Sequence, residues 1–379
     1  MFTMETSELT SAAFWESEQC QVMVNDRDGE ALAEAAIIRP WAQTQPALSG
    51  HVLFATSGSS GGKKWVALSR EALLASARMV NDHLSANADD RWLMALPDFH
   101  VGGLGILARC HEAFCKVARL EGKWDPVRYH ELALAEGSTL SSLVPTQLFD
   151  LVEHGLMAPE SLRAVIIGGG RLDDQLYEQA LQLGWPLMES YGMTEAASQV
   201  ATSMLGSRDL QILPAWQARI TQEGRLSIKG ELLLSAYIRC DGDSCEISDP
   251  KVGGWYDTGD LVELRSKEII VRGRADRCVK VLGELVNLAE VENRIIKLAM
   301  ESQIPAEGMV VLALPDDRKG NRFVLCSENQ IDGQALLNDY NSRAHALEQI
   351  EQVFLLDEIP RSPLGKVLYS TLAEAVANH

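Results

Sequence analysis

A glycine- and serine-rich loop with two adjacent lysines is the segment of this chain best suited to bind an anion. The loop spans residues 56–64 and follows the apolar run 52–55, which predicts a short strand. Glycines let backbone N–H groups approach a ligand closely, while hydroxyl and ammonium groups add hydrogen bonds and positive charge, as polyphosphate binding requires. Composition alone fits a flexible linker equally well. The loop is not a Walker A sequence, because Gly58 and Gly62 are four residues apart instead of five.

Four further segments carry side chains that could bind or activate a phosphate ester. In chain order they are Tyr191-Gly192-Met193-Thr194-Glu195, Asp257-Thr258-Gly259-Asp260, Gly273-Arg274-Ala275-Asp276 and Pro360-Arg361-Ser362-Pro363-Leu364-Gly365-Lys366. Each one alone also has a purely structural explanation. Glu195 could cap a helix, Asp260 could hold a turn, and Lys366 could be a solvated surface lysine.

Together, in this order and spacing, the five segments resemble the adenylate-forming superfamily of acyl-CoA synthetases, peptide-synthetase adenylation domains and luciferases. The resemblance covers about residues 50–370. It implies an acid–thiol ligase that uses ATP, Mg²⁺ and coenzyme A. ATP and a carboxylic acid would give an acyl-adenylate and pyrophosphate, and coenzyme A would then displace AMP to form the thioester.

The resemblance implies a role in binding ATP and Mg²⁺ for each matching residue. Tyr191 would lie beside the adenine, Thr194 near the α-phosphate, and Glu195 would hold Mg²⁺. Asp260 would accept hydrogen bonds from both ribose hydroxyls, with Arg274 also close to the ribose. The phosphate loop would hold the β- and γ-phosphates through Thr56, Ser57, Gly58, Ser59, Ser60, Gly61 and Lys64.

The resemblance also assigns catalytic work to Lys366, together with Thr194 and Glu195. Lys366 would bridge the substrate carboxylate and the α-phosphate. Because both reacting groups are anions, the reaction needs positive charge where the pentavalent phosphorus forms, and no covalent nucleophile on the protein. Asp276 would be the hinge of a mobile C-terminal domain, and Gly283 would line the approach of the thiol in the second step.

Three segments narrow the acid. Residues 96–103, 142–148 and 190–198 look like their counterparts in the o-succinylbenzoate–CoA ligases of menaquinone synthesis. His100 resembles a residue that gates the acyl pocket, although a histidine satisfied by local hydrogen bonds at a strand end fits equally. The three glycines Gly168, Gly169 and Gly170 would let the backbone approach a substrate ring, although a tight exit from the strand also explains them. Arg171 is a candidate for binding a second carboxylate.

The chain departs from the family pattern at four places. Lys63 stands where the loop usually has proline, Trp65 where it usually has glycine, and Tyr369 where a basic residue often follows the lysine. Only 55 residues precede Thr56, so an abbreviated first subdomain is expected. Two other functions stay open: an adenylating enzyme that loads an acyl or aryl group on a carrier protein, and a non-catalytic ATP-binding relative.

Charge and cysteine content limit the partners and the compartment. With 34 Lys and Arg against 53 Asp and Glu, the net charge of −19 argues against nucleic acid or an anionic membrane as the main partner. No apolar run reaches the roughly 18 residues of a membrane span, and the acidic start lacks a signal-peptide n-region. Seven cysteines without a CxxC pair suit a reducing, cytoplasmic location. The oligomeric state stays open, with a homodimer among the alternatives.

The elements that must position these residues alternate between strands and helices. Near-continuous apolar strands separated by helices predict a buried, mostly parallel sheet covered by helices. Ser69 is predicted to cap a helix, Pro145 to begin one, and Gly184 to follow the end of another. The predicted strands are 52–55, 92–96, 140–144 and 164–167, and the predicted helices are 70–84, 104–114, 145–154 and 173–183.

After about residue 205 the pattern changes to short strands and turns. Strands are predicted at 225–228, 231–234 and 268–271, with a linker at 273–277. Beyond it a helix from Leu288, strands near 309–314 and 322–326 and a helix from Gly333 suffice for a small α+β domain.

The predicted fold class is therefore α/β. A large N-terminal domain with mostly parallel, helix-covered sheets and a small β subdomain is followed by a mobile α+β C-terminal domain. Residues 1–275 would form the ATP- and acid-binding domain with its abbreviated first subdomain, and residues 276–379 the mobile domain.

Overall fold

The computed structural model describes most of the chain and divides it into two compact units. The first unit comprises Met1–Arg219, Ile228–Tyr256 and Arg265–Ile269, and the second comprises Ile220–Ser227, Asp257–Leu264 and Ile270–His379. The described residues are 6–57, 63–242, 244–282, 284–306, 308–316, 318–329, 331, 333–362, 365 and 367–377.

Helices and strands alternate along the described residues as the sequence predicts. The helices are α1 (Thr6–Leu9), α2 (Ala12–Trp15), α3 (Gly29–Gln43), α4 (Arg70–Leu84), α5 (Val101–Ala113), α6 (Pro126–Glu136), α7 (Pro145–Glu153), α8 (Asp174–Gln182), α9 (Leu288–Glu301), α10 (Gly333–Arg343) and α11 (Tyr369–Ala377). The strands are β1 (Gln21–Met23), β2 (His51–Ser57), β3 (Lys63–Ser69), β4 (Arg91–Met94), β5 (Lys116–Arg119), β6 (Leu140–Leu143), β7 (Ala164–Ile167), β8 (Leu187–Met193), β9 (Ser198–Thr202), β10 (Leu210–Ile212), β11 (Gln217–Ile220), β12 (Arg225–Lys229), β13 (Ala236–Asp241), β14 (Ser244–Ser248), β15 (Tyr256–Arg265), β16 (Glu268–Arg274), β17 (Cys278–Val281), β18 (Glu284–Asn287), β19 (Met309–Asp316), β20 (Gly320–Ser327) and β21 (Ile350–Leu355).

The centre of the first unit is a parallel sheet in the order β5-β4-β6-β7-β8. Every neighbouring pair in this stretch is parallel. Both β6 and β7 are buried along their whole length, as expected for strands with helices on both faces. The prediction of a buried, mostly parallel, helix-covered sheet is confirmed.

The three residues predicted to mark helix ends lie at the ends of helices in the structure. The Ser69 side chain accepts a hydrogen bond from the N–H of Ala72 and so caps α4. Pro145 is the first residue of α7, where its missing N–H costs no helical hydrogen bond. Gly184, just beyond α8, has a φ of +81°, a left-handed conformation that glycine adopts without strain.

A second sheet of the first unit has the order β1-β2-β3-β13-β14. Strands β2 and β3 are antiparallel, with Thr56 opposite Lys64, and they flank the part of the phosphate loop that lies outside the described residues. Strands β13 and β14 form a hairpin in which Cys240 pairs with Cys245, and these two cysteines are joined by a disulfide. This disulfide departs from the expectation of reduced thiols; directly opposed positions on adjacent strands bring the two side chains together.

One predicted strand is wrong. Residues 231–234 form a turn and a bend between β12 and β13. Leu232, Leu233 and Leu234 are all buried, which produced the apolar run that reads as a strand. The N–H of Leu234 donates to the carbonyl of Glu195 at 2.8 Å, so this buried turn makes a hydrogen bond with a distant segment instead of a ladder partner.

The second unit contains a small mixed sheet with helices packed against it. The three-stranded sheet β19-β20-β21 packs with α9 and α10 around a core that includes Val291, Ile295 and Phe323. The predicted helix from Leu288, strands near 309–314 and 322–326 and helix from Gly333 are all present. The predicted linker 273–277 instead contains the end of β16 and a 3₁₀ turn, Ala275–Arg277. The boundary at 275/276 stays a prediction.

A buried carboxylate network fixes the entry to β4. Asp90 is 5% exposed and accepts hydrogen bonds from Arg163 Nε at 2.8 Å and Nη2 at 2.7 Å, from Thr139 Oγ1 at 2.7 Å and from the Asn87 N–H at 3.0 Å. Burial alone would raise the pKa of Asp90, but these four donors and the Arg163 charge lower it to about 2.

We expect Asp90→Asn to lower the free energy of unfolding at pH 7 by about 1–2 kcal/mol, because the folded state binds the ionised form more favourably than the unfolded chain does. A depressed pKa means that this contribution is complete above the unfolded pKa near 4 and is lost as the pH falls toward 2. Urea unfolding of both proteins between pH 7 and pH 3 measures it. The exposed neighbour substitution Asp89→Asn is the matched control; equal effects of the two changes would contradict the assignment.

Candidate functional site

The first unit brings two of the sequence-predicted residues into direct contact. Lys64 lies on β3, and Glu195 lies on the 3₁₀ turn Thr194–Ala196 that follows β8. The Lys64 Nζ is 3.1 Å from Glu195 Oε1, although the two residues are 131 positions apart. Their side chains are 21% and 12% exposed, so the pair is largely shielded from water yet reachable by a ligand.

Tyr237 completes this cluster and was not found by sequence reasoning. Its hydroxyl donates to Glu195 Oε1 at 2.8 Å, and Lys64 Nζ donates to the same hydroxyl at 3.0 Å. The Lys64 ammonium also lies 4.1 Å from the centre of the Tyr237 ring, a cation–π geometry. Tyr237 is on β13, directly opposite Val66 of β3, and its hydroxyl is 2.7 Å from that of Tyr256. The pairing of β13 with β3 therefore brings the Tyr237 side chain to Lys64.

The electrostatics of the cluster keep the carboxylate ionised. Burial raises the pKa of Glu195, but the Lys64 charge and the Tyr237 hydrogen bond outweigh burial and leave that pKa below its usual value. Burial and the Glu195 charge raise the pKa of Tyr237, so its hydroxyl stays protonated and remains a donor. At neutral pH the cluster is thus an anion, a cation and a phenol.

Close backbone packing sets the position of the turn that carries Glu195. At Gly192 a Cβ atom would lie 1.9 Å from the carbonyl oxygen of Ser198, so only glycine fits. The pairing of β8 with β9 shifts register between Tyr191 and Gly192, which marks a bulge. Tyr191 and Thr194 are both half-buried on this stretch. The structure therefore places Tyr191, Thr194 and Glu195 on one constrained strand end.

The donor set fits a hard divalent cation such as Mg²⁺. The Lys64 ammonium and the Tyr237 hydroxyl both donate to Glu195 Oε1, and neither of them contacts the other carboxylate oxygen, Oε2. The described residues contain no group of three or more His, Cys, Asp or Glu side chains that could form a protein cage for a metal. One carboxylate combined with phosphate oxygens is a common way for proteins to hold Mg²⁺.

The start and end of the phosphate loop are tied together. The Thr56 hydroxyl donates to the carbonyl of Lys64 at 3.1 Å, and the backbones of Ser57 and Lys63 pair in register. Thr56 therefore helps to fix the strand that carries Lys64. Four predicted loop residues, Gly58, Ser59, Ser60 and Gly61, lie outside the described residues.

The second unit brings together three other predicted residues. Asp260 is 8% exposed, and Arg274 Nη1 is 3.4 Å from its Oδ1. The same guanidinium donates to the carbonyl of Thr258 at 2.8 Å and to both carboxylate oxygens of Asp276 at 3.2 and 3.0 Å. Gly259, with a φ of +74°, is so close to Arg274 that a Cβ would lie 3.0 Å from Nη2. Arg274 thus links the predicted ribose ligand Asp260 to the predicted hinge Asp276.

The segment near the C-terminus is contacted by Arg277, which follows the predicted hinge residue Asp276. Arg277 Nη1 donates to the Tyr369 hydroxyl at 2.6 Å, and its guanidinium carbon lies 4.4 Å from the centre of that ring. Arg277 also forms an ion pair with Glu292 at 3.1 Å. Tyr369 stands where the family pattern has a basic residue. It therefore contacts a basic residue, Arg277, that lies 92 positions earlier in the chain. The predicted residues Gly283 and Lys366 lie outside the described residues.

The predicted acid-binding glycines follow the carboxyl end of β7. The N–H of Gly168 donates to the carbonyl of Leu143 at 3.1 Å, and a Cβ on Gly168 would lie 3.7 Å from the Ser190 carbonyl. Gly169 has a φ of +80°, and its Cβ would meet Val144 at 3.2 Å. The three glycines Gly168 to Gly170 therefore follow the carboxyl end of β7, beside the end of β6 and Ser190 of β8, and ligands of parallel sheets bind at the carboxyl ends of the strands.

His100 precedes α5 and is half-buried. It is the N-cap residue of that helix, and its ring centre lies 4.7 Å from that of Phe99. This position at a strand-to-helix connection agrees with both sequence interpretations of His100. Its role as a pocket gate stays a prediction.

Arg109 is a functional candidate that the sequence analysis missed. It lies on α5, is 2% exposed, donates through Nη2 to Ser198 Oγ at 3.2 Å, and stacks 5.4 Å from Trp92. Its Nε has no hydrogen-bond partner, and no carboxylate pairs with it among the described residues. Burial lowers the pKa of Arg109 to about 10, which still leaves it charged at neutral pH. Arg171, the sequence candidate for a second carboxylate, is exposed.

A buried arginine without a counter-ion is costly for a folded protein, since arginine is almost never fully buried unless paired. Ser198 belongs to β9, which directly follows the turn that carries Glu195. Arg109 therefore contacts the strand that follows the Glu195 turn, and no carboxylate among the described residues balances its charge. The sequence signal was a single charge inside the otherwise apolar helical run 104–110.

The chain is similar to curated 2-succinylbenzoate–CoA ligases. The protein of that name from Bacillus cytotoxicus is 28% identical over 346 residues, which cover 84% of this chain and 69% of the relative. The corresponding protein of Listeria monocytogenes is 27% identical over 333 residues, which cover 84% of this chain and 68% of the relative.

Solved structures agree with these sequence relatives. The o-succinylbenzoate CoA synthetase (MenE) of Bacillus subtilis with the acyl-adenylate intermediate OSB-AMP has a TM-score of 0.73 at 26% identity, covering 85% of this chain and 68% of that chain. The same enzyme in complex with ATP and magnesium ion has a TM-score of 0.71 at 27% identity, covering 85% and 69%. These structures confirm the predicted α/β fold class with its small C-terminal domain.

A family model described as "AMP-binding enzyme" matches residues 5–231, more than half of the chain. The match includes the phosphate loop, the Glu195 turn and Arg109. The resemblance carried by the five ordered segments and the three-dimensional cluster of Lys64 with Glu195 agree with it. This chain belongs to the AMP-binding enzyme family.

Proposed function

We propose that this protein is an ATP-dependent acid–CoA ligase that activates 2-succinylbenzoate as its acyl-adenylate and transfers the acyl group to coenzyme A. The observation that carries the proposal is the shielded Lys64–Glu195–Tyr237 cluster, built on the segments that match adenylate-forming enzymes. The names of the similar curated proteins support the same activity. In menaquinone synthesis this thioester is the activated form of the acid.

The cluster suits the first half-reaction. Lys64 can pair with phosphate oxygens, and the ionised Glu195 can hold Mg²⁺ against them. Bound there, Mg²⁺ would neutralise charge on the phosphates and on the pyrophosphate leaving group. The buried Asp260 carboxylate can accept hydrogen bonds from a ribose diol, and Arg274 holds it in place.

Arg109 supports a dicarboxylic acid as the substrate. 2-Succinylbenzoate has two carboxylates, of which one joins the adenylate and the other keeps its charge. A buried guanidinium with an unused Nε is the complement of that second charge. The glycines at the end of β7 place no side chain beside Ser190, where the proposed substrate ring would lie. This assignment replaces the exposed Arg171 as the anchor.

The second half-reaction rests on the family resemblance. Residues 276–379 would turn about Asp276 so that Lys366 serves adenylation and the segment at Gly283 serves thioester formation. The bidentate contact between Arg274 and Asp276 supports a special role for this position.

The proposed substrates are cytoplasmic metabolites, which supports a cytoplasmic location, and the net charge of −19 supports small molecules in preference to nucleic acid as partners.

A pyrophosphate-release screen tests the proposal. The purified protein is given ATP and Mg²⁺ with 2-succinylbenzoate, benzoate, a fatty acid or an amino acid, each with and without coenzyme A. We expect release with 2-succinylbenzoate and a CoA thioester only when coenzyme A is present. Adenylation without any thioester would favour loading of a carrier protein, and ATP binding without turnover of any acid would favour a non-catalytic relative.

We expect Lys366→Ala to lower the rate of adenylation by about 100-fold or more, because it removes the proposed positive charge between two reacting anions. Thioester formation from supplied acyl-AMP should stay close to the wild-type rate, and the two half-reactions are measured separately. The exposed helical substitution Lys297→Ala is the control. Equal losses in both half-reactions would contradict the division of labour between Lys366 and the rest of the C-terminal domain.

A further inference from the structure

Two cysteines that the proposed reaction does not use lie side by side at the end of α5. Cys110 is in the last turn of this helix, and Cys115 follows its end by two residues. Phe114 adopts a left-handed φ of +54°, which reverses the chain so that the Cys115 N–H donates to the Cys110 carbonyl at 3.2 Å. This turn brings the two side chains together, although five positions separate them.

The two thiols interact directly and differ in their surroundings. Cys110 is 2% exposed, whereas Cys115 is half-buried. The Cys110 Sγ donates to the carbonyl oxygen of Lys116 at 3.9 Å, and the Cys110 and Cys115 thiols are close enough to shift each other's pKa. Burial is the main cause that raises the pKa of Cys110, so this thiol keeps its proton. The neighbouring Cys110 thiol lowers the pKa of Cys115, and this effect outweighs the opposing effects of burial and of the Asp90 charge.

Cys115 also borders a cavity of about 320 Å³. Arg91 and Lys116 contribute two cationic side chains to its lining, and Glu136 contributes one anionic side chain. A net positive lining favours anionic reactants. The cavity gives a small molecule access to the Cys115 sulfur, while Cys110 lies behind it in the protein.

We propose that Cys115 and Cys110 form a thiol–disulfide exchange site for anionic low-molecular-weight disulfides, with Cys115 as the attacking thiol and Cys110 as the resolving thiol. This inference does not depend on the proposed ligase activity. The turn that ends α5, in which the Cys115 N–H bonds to the Cys110 carbonyl, places the two residues next to each other, as a disulfide between them requires.

The exchange proceeds in two balanced steps. The Cys115 thiolate attacks one sulfur of the disulfide R–S–S–R, the S–S bond breaks, and R–S⁻ leaves with a proton from solvent. Cys110 then loses its thiol proton to solvent and attacks the Cys115 sulfur, which expels the second R–S⁻. Two protein thiols are oxidised to one disulfide, and R–S–S–R is reduced to two R–SH. The new bond closes the end of the helix that also carries Arg109.

Mass-spectrometric mapping after incubation with oxidised glutathione at pH 7.5 tests the site. In the wild-type protein we expect a Cys110–Cys115 disulfide without retained glutathione. In Cys110→Ser the resolving thiol is missing, so we expect a stable glutathione adduct on Cys115. Glutathione retained on Cys115 in the wild type, with no internal disulfide, would overturn the resolving role of Cys110.

Cys278 provides an internal control for reactivity in the unmodified wild-type chain. It is also half-buried, but burial and the charges of Glu290 and Asp276 raise its pKa. We expect iodoacetamide to modify Cys115 at least about ten times faster than Cys278 at pH 7.5, because a pKa difference of one unit changes the thiolate fraction about tenfold. Equal rates at the two cysteines would overturn the attacking role of Cys115, and this result needs no variant to fold.

Discussion

Glu195→Gln is expected to lower kcat/KM for ATP by about 100- to 1,000-fold, the usual effect of removing one buried electrostatic contact to a reacting phosphate or oxyanion. The amide keeps the shape of the side chain but loses the negative charge that pairs with Lys64 at 3.1 Å and that would hold Mg²⁺. Pyrophosphate exchange at a series of Mg²⁺ concentrations measures the effect. The half-maximal Mg²⁺ concentration should rise together with the loss of rate.

Tyr237→Phe is the graded comparison within the same cluster. It keeps the ring that lies 4.1 Å from Lys64 Nζ but removes the hydroxyl that donates to Glu195 at 2.8 Å. Since that hydrogen bond helps to lower the Glu195 pKa, its loss raises the pKa. The acid limb of the pH–rate profile should then move to higher pH, with a smaller loss of rate than in Glu195→Gln.

Glu112→Gln is the matched control for these two variants. Glu112 is another shielded carboxylate, 19% exposed and 3.0 Å from a cationic partner, Arg78. Its replacement should leave the Mg²⁺ dependence and the pH profile unchanged. A wild-type Mg²⁺ dependence in Glu195→Gln would remove Glu195 from the metal site and with it the main support for the cluster as the phosphate-binding centre.

The parallel sheet of the first unit could be predicted because its signals are local. Strand β7 is buried along its whole length and its sequence is a continuous apolar run, while the equally buried β6 has leucine at both ends and two small serines between them. Ser69 and Pro145 act on hydrogen bonds within a few residues of their own positions. Such features depend on the neighbouring sequence and need no knowledge of tertiary contacts.

The apolar run at 231–234 shows where local patterns fail. Its leucines are buried by distant parts of the chain, and the Leu234 N–H bonds to the carbonyl of Glu195. A run of buried residues looks the same in a strand and in a buried turn, because periodicity reports burial and not ladder pairing. The Cys240–Cys245 disulfide likewise depends on hairpin register, which the turn sets and the cysteine count does not.

Only part of the candidate site could be predicted from the sequence, because the rest depends on contacts between distant segments. Lys64 and Glu195 belong to recognisable segments, whereas Tyr237 enters the cluster through the pairing of β13 with β3, 173 positions away from Lys64. The sequence does contain an indication of Arg109, because it is a single charged residue within an apolar helical run. Such a side chain either extends its charged group to water or is buried for a functional reason. The choice between these two outcomes required the structure.

Arg109→Met is expected to lower kcat/KM for 2-succinylbenzoate by about 30- to 1,000-fold, the effect of removing one partner of a buried charge pair. The KM for ATP should stay near its wild-type value, because Arg109 contacts Ser198 and Trp92 and not the Lys64 cluster. Activity toward a monocarboxylic analogue of the acid should change little. Initial rates of pyrophosphate release with each acid, fitted for KM and kcat, separate these effects.

Stability should respond in the opposite direction from activity. Burial lowers the Arg109 pKa, which means that the folded state disfavours its charged form, and this cost is present throughout the neutral range and is relieved only above about pH 10. Methionine fills a similar volume without a charge, so the free energy of unfolding should stay equal or rise by about 1–3 kcal/mol in urea titrations. A structural arginine would give the reverse pattern, with lost stability and an equal loss of activity toward mono- and dicarboxylic acids. A variant that is more stable and has lost activity only toward the dicarboxylic acid would identify Arg109 as a ligand-binding residue. The wild-type protein would then retain a buried charge without a protein partner although that charge lowers its free energy of unfolding.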